Sequence, residues 1–339
     1  MTSITSTFAN QILNDACQKN ASDIHFYPKD NKEKVTIHYR IHGIRQFQRK
    51  INKVVYQSLL TYFKFSSNMD IGEIRKPQNG VLSFKNKHSK KFSLRLSTLP
   101  LSNTESLTIR ILPQEETPLL EQLFLFPKQF KKMKSWMNHQ SGIILLTGPT
   151  GCGKTTTMYA LLESMLQKNS FQAITLEDPI ERSLDNVLQV EVNEKAGITY
   201  QTGLKAALRH DPDVLLIGEI RDAETAKFAL RASLTGHLVL TTLHAKDALG
   251  TIDRLIELGI DRLDLCQSLI AVASLKLLPI EKAGKVYRRA AIVELLDGEH
   301  LFNTIKGDGN GMHHYHSFDY LKEKALLYGF ISEEIFYKI

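Results

Sequence analysis

The sequence predicts an α/β protein: a smaller α+β region ahead of a larger region built on a mostly parallel sheet. Beyond Leu119, short apolar runs bounded by turn residues ("GIILLT", "AITL", "DVLLIGEI", "HLVLTTL") alternate with helical stretches. That is the pattern of parallel strands covered on both faces. Ahead of that point, apolar and polar residues alternate with period two, as half-buried strands do. Between the regions, "PQEETP" (Pro113 to Pro118) marks a linker. The expected layout is an amino-terminal domain over 1–113, a linker over 114–118 and a second domain over 119–339 that ends in a helical segment.

In chain order, a short helix-like start leads to "KVTIHYRI", where Val35, Ile37, Tyr39 and Ile41 alternate with Thr36, His38 and Arg40. Gly43 supplies a turn, and Val54 to Phe65 reads as a helix. "NGVLSF", "KFSLRLSTL" and "SLTIRIL" are three more strand-like runs, separated by the turn-rich "KNKHSK" and "PLSN". In the second region, Met158, Leu161, Leu162 and Met165 fall at i, i+3, i+4 and i+7, one face of a helix. Leu265 to Ile280 is broken by Gln267, Ser268 and Lys276 and falls short of the ~20 residues of a spanning helix, so it reads as a core helix. The last stretch, "SFDYLKEKALLYGFISEEIFYKI", reads as a helical pair. "GDGNGMHHYH" reads as a flexible loop, with His313, His314 and His316 as exposed loop histidines rather than metal ligands.

A composition of 42% hydrophobic and 23% charged residues is that of a globular protein and excludes a disordered tail or a membrane span. The opening "MTSITSTFANQ" lacks a basic start followed by an apolar block. Cys17, Cys152 and Cys266 lie far apart with no CxxC pair, which argues against a disulfide framework. The expected compartment is therefore the cytoplasm. Charge is unevenly placed: residues 1–115 hold 18 Lys+Arg against 8 Asp+Glu, and the rest hold 25 against 28. A solvated lysine-rich surface, phosphate contacts, anionic lipid and nucleic acid all remain readings of the basic half.

"GPTGCGKT" is the sharpest chemical signal. It matches G-x-x-x-x-G-K-[ST] between a strand and a helix start, the context a phosphate-binding loop requires. Gly148, Pro149, Thr150, Gly151, Cys152 and Gly153 form the loop, and its glycines let backbone N–H groups wrap phosphates without Cβ collisions. Lys154 would reach the β- and γ-phosphates, Thr155 would ligate magnesium, and Thr156 at the helix start would also bind the nucleotide. Cys152 is expected to fill space, with a thiol made oxidation-sensitive by the helix start. The strand "DVLLIGEI" places Gly218 where an aspartate is usual, which leaves Glu219 as the acid at the strand end, suited to polarising water. The alternative is that Glu219 pairs with Arg221. Glu177 and Asp178 in "TLEDPIE" fall at the end of another strand, either as metal carboxylates or as a capped turn. Asp213 belongs at the far end of its strand, away from the phosphates.

These residues together resemble the secretion ATPases of type II secretion and type IV pili (GspE/PilB/PilT-like). The resemblance rests on "GPTGCGKTTTMYAL", "TLEDPIE", "LRHDPDVLLIGEIRD" and "LTGHLVLTTLHAKDA". Upstream it extends to "ASDIHFYP", "YRIHG", "RKPQNG", "LRLSTLP" and "LTIRIL", covering roughly Ala21 to Leu296. It implies a PAS-like amino-terminal domain, a RecA-like ATPase domain, ATP and Mg²⁺ as cofactors, and a homohexamer. The implied partner is a polytopic inner-membrane platform protein, so the implied location is the inner face of the membrane, peripherally. Glu219 matches the family's Walker B glutamate, Glu177 and Asp178 its Asp box, and His237 and His244 its His box. Arg95 and Arg110 match arginines presented to the γ-phosphate. The two histidines read equally as satisfied strand-end residues.

Three departures narrow the branch. There is no paired CxxC insertion, so no zinc is expected, and no longer amino-terminal region as in the type II exporters. No "AIRxLIRE"-like helix of the retraction ATPases is found. The family's "QRL" segment reads Leu275-Lys276-Leu277. A compact, extension-type chain most resembles the competence branch, whose pseudopilus serves DNA uptake. A retraction motor, a RecA-like nucleic-acid translocase and a silent scaffold are the competing expectations. No aromatic platform is seen among the basic residues, and no sequence-specific nucleic-acid binding is expected.

Overall fold

The period-two pattern of the amino-terminal region becomes a six-stranded sheet, antiparallel throughout, in the computed structural model. The structure describes residues 2–28, 33–41, 44–114, 118–167, 171–282, 285–307 and 316–338. Gly43, the linker residues 115–117, and His313 and His314 lie outside the described residues. Two compact units result, Met1–Glu116 and Thr117–Ile339.

The first unit runs α1 (Thr2–Gln18), β1 (Ala21–Tyr27), β2 (Lys34–Ile41), β3 (Ile44–Asn52), α2 (Lys53–Ser66), β4 (Gln78–Lys85), β5 (Lys91–Pro100) and β6 (Glu105–Pro113). Its strands lie in the order β3-β2-β1-β6-β5-β4. One face is apolar, with Ile24, Phe26, Ile37, Tyr39, Leu94, Leu96 and Ile109 packed against Ile12 and Leu13 of α1 and Leu59 and Phe63 of α2. The Tyr39 hydroxyl donates to the Ile12 carbonyl at 3.1 Å, tying helix to sheet. Strand alternation sends the polar residues to the opposite face. There the register aligns Arg45, Arg40, Asp23, Arg110 and Arg95 in one row across five strands. The next row holds Phe47, His38, His25, Thr108 and Ser97. The edge strand β3 has no apolar alternation in its sequence because most of its residues are exposed.

The second unit runs α3 (Leu120–Leu123), α4 (Pro127–Trp136), β7 (Gly142–Thr147), α5 (Lys154–Leu166), β8 (Ala173–Glu177), β9 (Val187–Glu191) and α6 (Tyr200–Ala207). It continues through β10 (Val214–Ile217), α7 (Ala223–Leu234), β11 (Leu238–Leu243), α8 (Ala248–Glu257) and α9 (Arg262–Ser268). β12 (Leu269–Lys282), β13 (Lys285–Asp297), α10 (Gly298–Lys306), α11 (Phe318–Leu327) and α12 (Glu333–Lys338) complete it. The sheet order is β13-β12-β7-β11-β10-β8-β9, parallel except for the β12–β13 pair. Alternate residues of each central strand feed two separate cores. Leu145, Leu215 and Val239 pack under α6 to α9, whereas Ile144, Leu216 and Leu240 pack under α5. His316 stacks on Tyr320 with ring centres 4.6 Å apart.

One expectation is corrected here. Most of Leu265–Ile280 is strand, not core helix: α9 stops at Ser268 and β12 begins at Leu269. Ala271 to Leu275 are fully buried, on a strand that lies between β7 and β13. A strand buried on both faces loses its alternation, so an apolar run gives a helix and such a strand the same signature. On β13, the buried Glu294 accepts N–H hydrogen bonds from Ala248 at 3.2 Å and Phe318 at 2.8 Å, the first residues of α8 and α11. Among the described residues no helix is long and apolar enough to cross a membrane.

Candidate nucleotide site

Parallel strands β7, β11, β10 and β8 end on one edge, with Leu243 beside Thr147, Thr241 beside Ile217 and Ile217 beside Leu176. Ligands of open α/β sheets sit at this carboxyl edge. The loop Gly148–Gly153 leaves β7 there and enters α5. Gly148, at φ 132°, could carry no side chain, because a Cβ would lie 2.5 Å from the Leu275 carbonyl oxygen and 2.9 Å from the Cys152 sulfur. Gly153 begins α5 at φ 94° and no side chain caps this helix, so its first amides remain available to an anion. Lys154 folds back over the loop, its Nζ donating to the carbonyls of Gly148 at 2.8 Å and Pro149 at 3.1 Å. Burial pulls the lysine below its ordinary pKa, against the pull of Glu219 in the other direction.

A cavity of about 350 Å³ opens above this edge, walled by Thr150, Gly151, Gly153, Lys154, Thr155 and Thr156 on the loop side. Glu177, Asp178, Gly218, Glu219 and His244 wall it from the other strand ends. Glu219 is held on both oxygens. Oε1 accepts from the Arg221 Nε at 2.6 Å, and Oε2 lies 3.4 Å from His244 Nε2. Arg221 also donates to Asp178 Oδ2 at 2.8 Å, so one guanidinium spans two carboxylates and its own pKa rises, chiefly through its bond to Glu219. Glu177 is buried behind them and accepts from the Tyr159 hydroxyl, from Thr175 at 2.7 Å and from Gln189 at 3.2 Å. His244 is bracketed by Thr147, whose hydroxyl donates to the Leu243 carbonyl at 3.0 Å and accepts from the Ala245 N–H at 3.1 Å.

The structure thus gathers the loop, Glu177, Asp178, Glu219 and His244, and leaves His237 out. His237 precedes β11, at the opposite edge of the sheet, with Nδ1 3.0 Å from the Ala232 carbonyl and 3.2 Å from the Thr235 hydroxyl. Only one residue of the His box reaches the cavity, because the six residues of β11 separate the two histidines. Cys152 is also corrected: it fills space as expected, but burial pushes its thiol up, outweighing Lys154, where the helix start was expected to lower it. Arg95 and Arg110 belong to the first unit, adjacent on β5 and β6, with the Arg110 Nε donating to Asp23 at 3.0 Å. Asp213 sits at the start of β10, accepting from the Gln172 N–H at 2.7 Å, as expected. Arg221, Thr147, Tyr159 and Gln189 escaped the sequence reading as site residues. Arg221 had a signal, its spacing from Glu219; Gln189 had none.

The glycine at 218 has a steric reason. A Cβ there would lie 3.3 Å from both the Leu176 carbonyl oxygen and the Tyr200 hydroxyl, and 3.4 Å from the Glu177 Cα. Gly218→Asp is expected to destabilise the second unit by about 1–3 kcal/mol through overpacking. A urea midpoint unchanged from the native protein would contradict this.

Sheet edges that combine loop amides, a loop lysine and strand-end carboxylates define the P-loop nucleoside triphosphatases. Within that class, the family described as "Type II/IV secretion system protein" matches residues 2–310, and the chain belongs to it. It is an ATPase of the type II/IV secretion and pilus systems. The chain is 43% identical to the competence protein ComGA of Bacillus subtilis (strain 168), over 96% of this chain and 94% of that one. It is 39% identical to type II secretion system protein E of Pseudomonas aeruginosa over 80% of its length, spanning about half (53%) of that protein. Among solved structures, the pilus retraction motor PilT with bound ADP aligns with TM-score 0.79 at 29% identity, covering 97% of this chain and 96% of that one. The Legionella pneumophila ATPase DotB, at 21% identity and TM-score 0.77 over 100% of this chain and 96% of that one, shares the fold.

Proposed function

We propose that this ATPase drives assembly of a type IV (pseudo)pilus, in the competence branch that serves DNA uptake. The observation that carries the mechanism is the convergence of Lys154, Thr155, Asp178, Glu219 and His244 on one cavity. The competence branch is supported by the identity to ComGA over nearly the whole of both chains. In this reading the loop amides and Lys154 bind the phosphates of ATP, Lys154 turning from the loop carbonyls to do so. Glu219 orients the attacking water, with His244 and Arg221 fixing its carboxylate. Arg95 and Arg110 act on the γ-phosphate, where guanidinium groups offset charge developing in the transition state.

Magnesium fits the same edge. Among the described residues no cluster of three or more His, Cys, Asp or Glu could hold a metal alone. That suits an ion that takes one or two protein oxygens together with substrate phosphates and water. Thr155 and Asp178 would hold it, with Glu177 as the buried carboxylate behind, and it would supply charge neutralisation on the phosphates. The working assembly is a homohexamer, with domains 1–113 and 119–339 joined through the linker 114–118. It docks peripherally, from the cytoplasm, on a polytopic platform protein of the membrane.

A host strain lacking this chain tests the direction of work. Failure to make filaments, restored by the native chain but not by Glu219→Gln, is the expected result. Filaments that form but no longer shorten would make the chain a retraction motor instead.

A further inference from the structure

Thr155 and Asp178, the two side chains proposed to hold magnesium, stand on different elements, α5 and the turn that follows β8. Each has a neighbour that reaches the other's element. Tyr159 lies four residues beyond Thr155 on α5, so the two share a face of that helix. Glu177 immediately precedes Asp178 and ends β8. The Tyr159 hydroxyl donates to Glu177 Oε2, and this one bond joins the helix of Thr155 to the strand end of Asp178.

The bond is enclosed where the ion's ligands are open. Tyr159 is 2% exposed and Glu177 3%, whereas the Asp178 side chain is 41% exposed. Burial, and after it the charge of Glu177, raises the pKa of the Tyr159 hydroxyl, so it stays a donor. Glu177 Oε1 is taken by the Thr175 hydroxyl at 2.7 Å and the Gln189 amide at 3.2 Å. Both carboxylate oxygens are thus engaged by neutral donors. The contacts close into a ring: the same Gln189 amide donates to the Arg182 carbonyl at 3.0 Å, and the Arg182 guanidinium lies 5.3 Å from the Tyr159 ring centre. On its other side Asp178 is held by Arg221 at 2.8 Å.

An ion shared between two elements is held well only when their ligands are correctly spaced. Groups behind the ligands fix that spacing, and losing one costs about 10–100-fold in metal affinity. On the reading that Thr155 and Asp178 are the ion's protein ligands, we propose that Tyr159 is a positioning residue for magnesium. Through Glu177 it sets Asp178 against Thr155, so that both side chains and the phosphates of ATP can share one ion. Glu177 is the buried anchor of the turn and leaves ligation to its neighbour.

Equilibrium titration of the full chain with a fluorescent ATP analogue, in EDTA and across a series of free Mg²⁺ concentrations, tests this. Tyr159→Phe removes one hydroxyl and keeps the ring beside Arg182. In EDTA the variant should bind the analogue as the native chain does, because the loop and Lys154 are untouched. The free Mg²⁺ that gives half-maximal tightening should rise about 10–100-fold. Adding Tyr159→Phe to Glu177→Gln should shift it no further than Glu177→Gln alone, since both break the same bond. A tie that served stability alone would lower the unfolding temperature of the nucleotide-free variant and leave its Mg²⁺ dependence native; that result would overturn the proposal. So would equal losses of affinity with and without Mg²⁺, or shifts in the two variants that multiply. A native chain whose affinity ignores Mg²⁺ would instead overturn the magnesium assignment at Thr155 and Asp178, and the role of Tyr159 with it.

Discussion

Glu219→Gln should lower kcat for ATP hydrolysis by about 10²–10⁴-fold, the range of a positioned acid–base group, while ATP still binds. The substitution keeps the shape of a side chain that is 23% exposed and held between Arg221 and His244. It removes the negative charge that would draw a proton from water. Arg221 retains its second carboxylate, Asp178, so the wall of the cavity stands. Affinity should change little, because the phosphates are read by the loop amides and Lys154. Single-turnover hydrolysis beside equilibrium binding of a fluorescent ATP analogue separates the two quantities. A kcat near that of the native chain would remove Glu219 from the mechanism and leave it as the ion-pair partner of Arg221.

Lys154→Ala should do the opposite and strike binding first. The residue is 9% exposed and its ammonium is held by two loop carbonyls, so it is poised where phosphate charge would arrive. Truncating one member of a buried, charge-assisted pair costs about 2–5 kcal/mol, or roughly 30- to several-thousand-fold in affinity. The same analogue titration measures it. Native affinity in this variant would mean that the loop amides alone hold the nucleotide. A third outcome, loss of folding, shows in the thermal unfolding curve and is answered with Lys154→Gln, which keeps a donor in place of the charge.

Local chemistry was legible in the sequence wherever one stretch of chain carried it. The loop Gly148–Gly153, the strand ends before Glu177 and Glu219, and the period-two runs of the first unit all read correctly because spacing along the chain maps onto geometry. What escaped depends on register between distant strands. The row of Arg45, Arg40, Asp23, Arg110 and Arg95 draws one residue from each of five strands, so it emerges only when those strands are laid side by side. Burial hid other features. β12 lost its alternation between two neighbours, and the burial of Cys152 raises a thiol that its place at a helix start was expected to lower. His237 was misplaced for a third reason: a motif records order along the chain, and β11 carries its two histidines to opposite edges.

Glu294 gives the second unit a mechanical property. Its two oxygens take the leading amides of α8 and α11, and α8 starts only four residues beyond His244. Moving one helix relative to the other would cost the carboxylate one of these two charge-assisted hydrogen bonds, about 1.5–3 kcal/mol. The segment behind His244 and the helical pair at the end of the chain are therefore moored to one carboxylate on β13.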